Sequence, residues 1–163
     1  MKNKFLIPFI TVTSMIITSQ VVLGAGSTDD EDSNYSEVAD SDFMSGKEQA
    51  YNGNYKVAIS YLKKSIENDS NNADAFNMLG YSNRKLGKNQ EAFKYYKKAL
   101  KLDPRHRGTH EYIGRLFLNL NQPEKAKMHL DKLDSICFLG CDEYTTLKKA
   151  IEDYEKNKVV KNY

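Results

Sequence analysis

A chain of 163 residues has room for one modest domain, and 40% hydrophobic with 28% charged residues is the ordinary composition of a soluble globular protein. The formal net charge of +2 hides a segregation, because residues 27–43 carry seven acids and no base while the bases are in surplus over the rest of the chain.

At the amino terminus Lys2 and Lys4 precede an apolar stretch, residues 5–23, that is broken by Pro8, Thr11, Thr13, Ser14, Thr18, Ser19 and Gln20 and followed by Gly24, Ala25 and Gly26. Residues 1–25 are predicted to be a cleavable secretory signal. So polar a stretch is a poor anchor, which needs about 20 mostly apolar residues. No cysteine stands near the cleavage region to carry a lipid, so the expected location is periplasmic or secreted, with no stable membrane span once the signal is removed. Residues 26–38 form an acidic leader, and its serines and carboxylates predict disorder because it has too little apolar surface to bury.

Beyond the leader one interval governs the chain. Gly46, Gly80 and Gly114 stand 34 residues apart, and Ala58, Ala92 and Ala126 repeat that spacing 12 residues later in each unit. In the middle unit Phe76, Leu79, Gly80 and Asn83 fall at helical spacing; Gly87 stops the first helix, and Ala92, Phe93, Tyr96, Ala99 and Leu100 make a second apolar stripe before Asp103 and Pro104. The unit before it runs through Gly46, Tyr51, Gly53, Ala58, Ile59, Leu62 and Ile66. The unit after it runs through Tyr112, Ile113, Gly114, Phe117, Leu120, a turn at 121–123, then Ala126, Leu130 and Leu133. Pro123 suits a first helical turn, where its missing N–H is no loss. The small residues are expected where paired helices cross, since a larger side chain would hold the backbones apart.

With Phe76, Leu79, Gly80, Ala92, Tyr96, Ala99 and Pro104 all in phase, the chain resembles the tetratricopeptide repeat family. The resemblance covers three units, 39–72, 73–106 and 107–140, and weakens at the outer ones, where Asp42 and His110 replace Phe76, and Ser70 and Phe138 replace Pro104. It implies an all-α fold: a right-handed α-solenoid of three helix-turn-helix repeats whose first helices line a concave face.

Where the period ends lies Cys137-Phe138-Leu139-Gly140-Cys141. In an exported chain such a pair reads most simply as a disulfide that pins the next segment to the repeats; free or redox-active thiols and a metal site are the competing readings. Residues 141–157 then place Tyr144, Leu147, Ala150, Ile151 and Tyr154 on one helical face and charges on the other, the pattern of a C-terminal capping helix. The tail, 158–163, is expected to fray.

No catalytic constellation emerges. His106 and His110 are four apart, but His106 follows Pro104 and Arg105 in a turn, so the two are not expected to share a helical face; His129 reads as a packing or rim residue. The expectation is a non-enzyme with no cofactor and no metal. The lysines at 63, 64, 97, 98 and 132 read as an outer, solvated face, and no nucleic-acid partner is expected. What the resemblance implies instead is a partner-binding groove, formed by exposed positions of the first helices: Phe43, Lys47 and Tyr51; Asn77, Tyr81, Arg84 and Lys85; Glu111, Arg115 and Asn119. Rings, cations and amides together suit a peptide or protein ligand bearing acidic groups, with cell-envelope assembly as one expected setting. The alternative function is a small exported redox or metal-handling protein acting through Cys137 and Cys141.

Overall fold

The computed structural model describes residues 30–157, and every element among them is a helix: α1 (Asp30–Tyr51), α2 (Tyr55–Asn68), α3 (Ala73–Lys85), α4 (Asn89–Leu102), α5 (Arg107–Asn119), α6 (Pro123–Ile136) and α7 (Asp142–Asn157). The expected signal, residues 26–29 of the leader and the tail lie outside the described residues. Helix α1 reaches back to Asp30, so residues 30–38, where composition predicts disorder, are helical. No glycine or proline interrupts the sequence between Asp30 and Gly46, so nothing in it breaks a helix.

Main-chain chemistry explains why the period is so regular. Within each unit the turn is closed by a bond spanning five residues: Asn54 N–H to Gln49 C=O at 2.8 Å, Lys88 to Asn83 at 2.9 Å, and Gln122 to Phe117 at 2.8 Å. The residue just before each of these donors has positive φ, 82° at Gly53, 75° at Gly87 and 58° at Asn121. Glycine takes that conformation without cost and asparagine tolerates it, so the third turn keeps the geometry with a different residue. Between units a second bond recurs: Asp69 N–H to Ser65 C=O, Asp103 to Ala99 and Cys137 to Leu133. First helices carry side-chain caps at one phase, Asn72 accepting from Ala75 N–H at 2.8 Å and His106 Nδ1 from Thr109 N–H at 3.1 Å.

Three apolar clusters follow one another along the stack. Ala50, Ala58, Leu62, Phe76 and Leu79 bind the first unit to the second; Ala92, Tyr96, Ile113 and Leu116 bind the second to the third; Leu118, Ala126, Leu133, Leu147, Ile151 and Tyr154 seal the third under α7. Each cluster draws on neighbouring helices, so no unit buries its apolar face alone.

The repeated glycines do not all do the expected job. A Cβ on Gly46 would meet Leu62 of α2 at 2.6 Å, and one on Gly80 would run into the Tyr96 ring of α4. By the same phase Gly114 should face Leu130 of α6. It faces Leu147 of the cap instead, and a Cβ there would meet Leu147 Cδ2 at 2.5 Å. Helix α7 packs on both α5 and α6, so it takes the notch that a second helix fills in the other units. Polar bonds hold it there: Lys127 pairs with Glu155 at 2.9 Å, and the Tyr154 hydroxyl donates to Asn121 Oδ1.

Between α6 and α7 the sulfurs of Cys137 and Cys141 face each other with their Cα atoms 5.7 Å apart, a separation suited to a disulfide. The loop tip they bracket is bare, with Phe138 95% and Leu139 91% exposed.

Candidate functional site

The first helices α1, α3 and α5 lie side by side and with the edge of α7 enclose a groove of about 400 Å³. Helix α1 contributes Phe43, Lys47 and Tyr51; α3 contributes Asp74, Asn77 and Met78; the α4–α5 joint and α5 contribute Arg105, His106, Arg107, Glu111 and Tyr112; Glu143 comes from α7. Five of the ten sequence-predicted groove residues, Phe43, Lys47, Tyr51, Asn77 and Glu111, therefore share one cavity. Tyr81, Arg84, Lys85 and Arg115 sit beside it rather than in its lining. Asn119, exposed at the carboxyl end of α5, is outside it.

Three of these residues are not the exposed positions that the repeat pattern implies. Asn77 and Arg84 are each 5% exposed and Glu111 is 8% exposed. Close packing of α3 on α5 is the reason. Asn77 Oδ1 accepts from Thr109 Oγ1 at 3.1 Å, so this amide ties two units together instead of pointing at solvent. Glu111 Oε1 lies 3.0 Å from Arg115 Nε. Burial outweighs the neighbouring Arg115 and Arg84 and pushes the Glu111 carboxyl up to about 7, with Glu143 adding to the rise.

A chain of tyrosines borders the groove. Tyr81 packs against Tyr51 at 6.2 Å, Tyr55 at 6.1 Å and Tyr112 at 5.0 Å between ring centroids. The Arg84 guanidinium lies 5.6 Å from the Tyr81 ring and 5.7 Å from that of Tyr112, within cation–π range. Burial raises the Tyr81 and Tyr112 hydroxyls above the ordinary phenol range, so both stay protonated donors.

At the other edge His106 joins two units. Its Nδ1 accepts from Thr109 N–H, which leaves the proton on Nε2, and Nε2 donates to Asp74 Oδ1 at 3.0 Å. That bond holds the Asp74 carboxyl below its usual range against the opposing effect of partial burial. The residues that sequence reasoning missed here, Asp74, His106 and Tyr112, had a usable signal. His106 stands 34 residues after Asn72 and takes over its capping role, so its ring is directed to the start of α5.

His110 and His129 form a pair that no sequence pattern announced. His110 Nε2 donates to the Pro104 carbonyl at 3.0 Å, which makes its Nδ1 an acceptor, and His129 Nδ1 donates to it at 3.0 Å. Both rings are neutral in this arrangement. Burial lowers His129 to about 4, helped by His110 and Lys132, and lowers His110 as well. Among the described residues no three His, Cys, Asp or Glu side chains group in a way that could hold a metal ion.

Models of the tetratricopeptide repeat match residues 43–72 and 73–106, which coincide with the helix pairs α1–α2 and α3–α4. The chain belongs to the tetratricopeptide repeat family. Its third helix pair continues the same register and hydrogen bonding. A search of curated proteins found no match to this tetratricopeptide repeat chain. Solved structures similar to it include the Arabidopsis OM64 TPR domain, at 13% identity and a TM-score of 0.65 over 74% of this chain and 98% of that one. The Yersinia enterocolitica type III secretion translocator chaperone SycD is similar at 15% identity and a TM-score of 0.65 over 82% and 98%. The second TPR of Spaghetti (RPAP3), bound to the HSP90 peptide SRMEEVD, is similar at 22% identity and a TM-score of 0.59 over 68% and 99%. At such identities the likeness shows a shared α-solenoid fold. No helix among the described residues is long and apolar enough to cross a membrane.

Proposed function

We propose that this repeat protein is a non-catalytic scaffold that holds a segment of a protein partner in the groove between α1, α3 and α5, in an exported setting such as envelope assembly. One observation carries the reading: three successive units contribute rings, cations and carboxylates to a single cavity of about 400 Å³. Tyr51, 59% exposed at the groove's edge, offers rigid contact area at small entropic cost, and Lys47, Arg105 and Arg107 can meet acidic groups. The peptide-bound Spaghetti TPR lends support as a protein of the same fold in complex with a peptide. A photo-cross-linker in place of Tyr51 should trap a discrete partner in the native envelope fraction, and one in place of Lys97 on α4 should not. Equal trapping at both positions counts against the groove.

Export and the cysteine pair belong to the same reading. The mature amino terminus is expected near residue 26, and Cys137 and Cys141 are proposed to be joined as a disulfide that fixes the α6–α7 loop. Intact-mass measurement of the secreted protein with and without reductant tests both; two alkylatable thiols or a retained signal segment would sink the respective claim.

A further inference from the structure

Away from the groove, the second helices carry an excess of positive charge. Helix α2 exposes Lys56, Lys63 and Lys64, and α4 exposes Lys97, Lys98 and Lys101, on the sides opposite their buried alanines Ala58, Ala92 and Ala99. None of these six lysines is ion-paired among the described residues. Lys94 beside them is bound by Glu91 at 2.8 Å, so Glu67 is the remaining acid on the two helices. Their stems lie along apolar surface: the Lys64, Lys97 and Lys98 ammonium groups are 5.8, 5.4 and 5.2 Å from the rings of Tyr61, Phe93 and Phe76. The excess stops with α4, because Asp131 on α6 stands at the phase of Lys63 and Lys97. Clustered like charges of this kind attract a segment of opposite sign.

Such a segment exists in the same chain. Gly46 of α1 packs on Leu62 of α2; counting six residues onward along each antiparallel helix sets Asn68, the end of α2, opposite Asp40. Residues 30–39 of α1 therefore overhang the pair, by about 15 Å at 1.5 Å per residue. Their sequence holds Asp30, Glu31, Asp32 and Glu37 and no base. The overhang continues the axis of α1 past the end of α2, and without a glycine or proline between Asp30 and Gly46 it has no kink with which to turn back onto its own α2 and α4. Its complement is within reach only on another molecule.

We propose that the lysine face of α2 and α4 receives the acidic overhang of α1 from a second copy of this chain. The two patches differ, so the contact is heterologous: each copy has one overhang to give and one face to offer, and growth beyond a dimer follows unless a ring closes. Exposed ion pairs are individually weak, which makes the association reversible and sensitive to salt. Because the occupant is this chain itself, a product cross-linked at Lys97 has twice the mass of the chain and is distinct from a partner trapped at Tyr51.

Analytical ultracentrifugation of the purified chain at neutral pH and low salt should show self-association with a Kd on the order of 100 µM, weakened at least about tenfold at about 300 mM salt, where screening is strong. The combined variant Asp30→Asn, Glu31→Gln, Asp32→Asn and Glu37→Gln should be monomeric, and so should the combined variant Lys63→Glu, Lys64→Glu, Lys97→Glu and Lys98→Glu. Mixed together, the two should form a one-to-one complex that grows no further, since the first keeps its basic face and the second its acidic overhang. Circular dichroism and melting establish that each variant is folded; if the charge reversal prevents folding, glutamine at the same four lysines takes its place, with the mixing experiment replaced by the salt titration. A chain that stays monomeric up to about 1 mM at low salt, an association that survives high salt, or a mixture of folded variants that does not associate overturns the contact. Flotation with phosphatidylglycerol vesicles by a chain that does not self-associate would assign the lysine face to an anionic membrane and overturn it as well.

Discussion

The seat of α7 on Gly114 can be tested by reversing the sign of one mutation. A Cβ added at Gly114 would meet Leu147 Cδ2 at 2.5 Å, Cδ1 at 2.6 Å and Cγ at 3.1 Å, and Leu147 is fully buried. Overpacking of this kind costs about 1–3 kcal/mol, while alanine in place of a helical glycine returns about 1 kcal/mol. Gly114→Ala alone should therefore destabilise the protein by about 1 kcal/mol. Leu147→Ala removes all three crowding atoms and leaves a cavity, at a cost of about 3 kcal/mol. In that background Gly114→Ala has nothing to strike and partly fills the void, so it should stabilise by up to about 1 kcal/mol. The interaction energy is then about 2 kcal/mol, readable from urea unfolding followed by circular dichroism. Leu130→Ala is the control, because the repeat register alone points to Leu130 as the partner of Gly114. Gly114→Ala behaving alike in the wild-type and Leu147→Ala backgrounds, or coupling to Leu130 instead, would refute the placement of the cap.

Glu111 is raised to about 7 from an ordinary value of 4.5, so between those values the native state holds a proton that the unfolded state has lost; stability should fall as pH rises through that window, by at most about 1.4 kcal/mol per unit. Glu111→Gln should abolish that slope in pH-dependent melting. His129, lowered to about 4 from 6.5, has the opposite sign, losing stability as pH falls below 6.5, and its effect should stand out in the Glu111→Gln variant. Asn121→Gly should relax a positive φ but leave the Tyr154 hydroxyl without its acceptor, costing about 1 kcal/mol net; in a Tyr154→Phe background the same change should be neutral or stabilising in thermal melts. Replacing Cys137 and Cys141 by serine should lower stability by about 2 kcal/mol if a five-residue loop is closed by a disulfide, and leave melting unchanged if the thiols are free.

The helix pairs were legible in the sequence because the turn at 53, 87 and 121 demands a residue tolerant of positive φ, and Gly, Gly and Asn are residues that supply it. Gly46 and Gly80 were legible as places where paired helices cross, whereas the side chains they meet, Leu62 and Tyr96, were not singled out. Periodicity fails where a contact leaves the period. Nothing in the register directs Leu147 to Gly114, or His110 to His129, since each contact depends on how one helix tilts against another. Asn77, Arg84 and Glu111 were placed on the right helices, but their burial depends on how closely α3 approaches α5, a distance that no single helical pattern encodes.

The main-chain bonds that recur at the joints, Asp69 to Ser65, Asp103 to Ala99 and Cys137 to Leu133, do not depend on which side chains flank them. A whole 34-residue block could be spliced in or cut out at residue 70 or 104 with its main-chain hydrogen bonding intact, provided that side-chain ties such as Asn77 to Thr109 and His106 to Asp74 are kept. The apolar clusters, which straddle the joints, would limit such editing: an added unit is tolerated only where its first helix offers the next cluster residues like Phe76 and Leu79. Groove length is thus adjustable in steps of one unit at the amino-terminal side, and fixed at the other end by the cap.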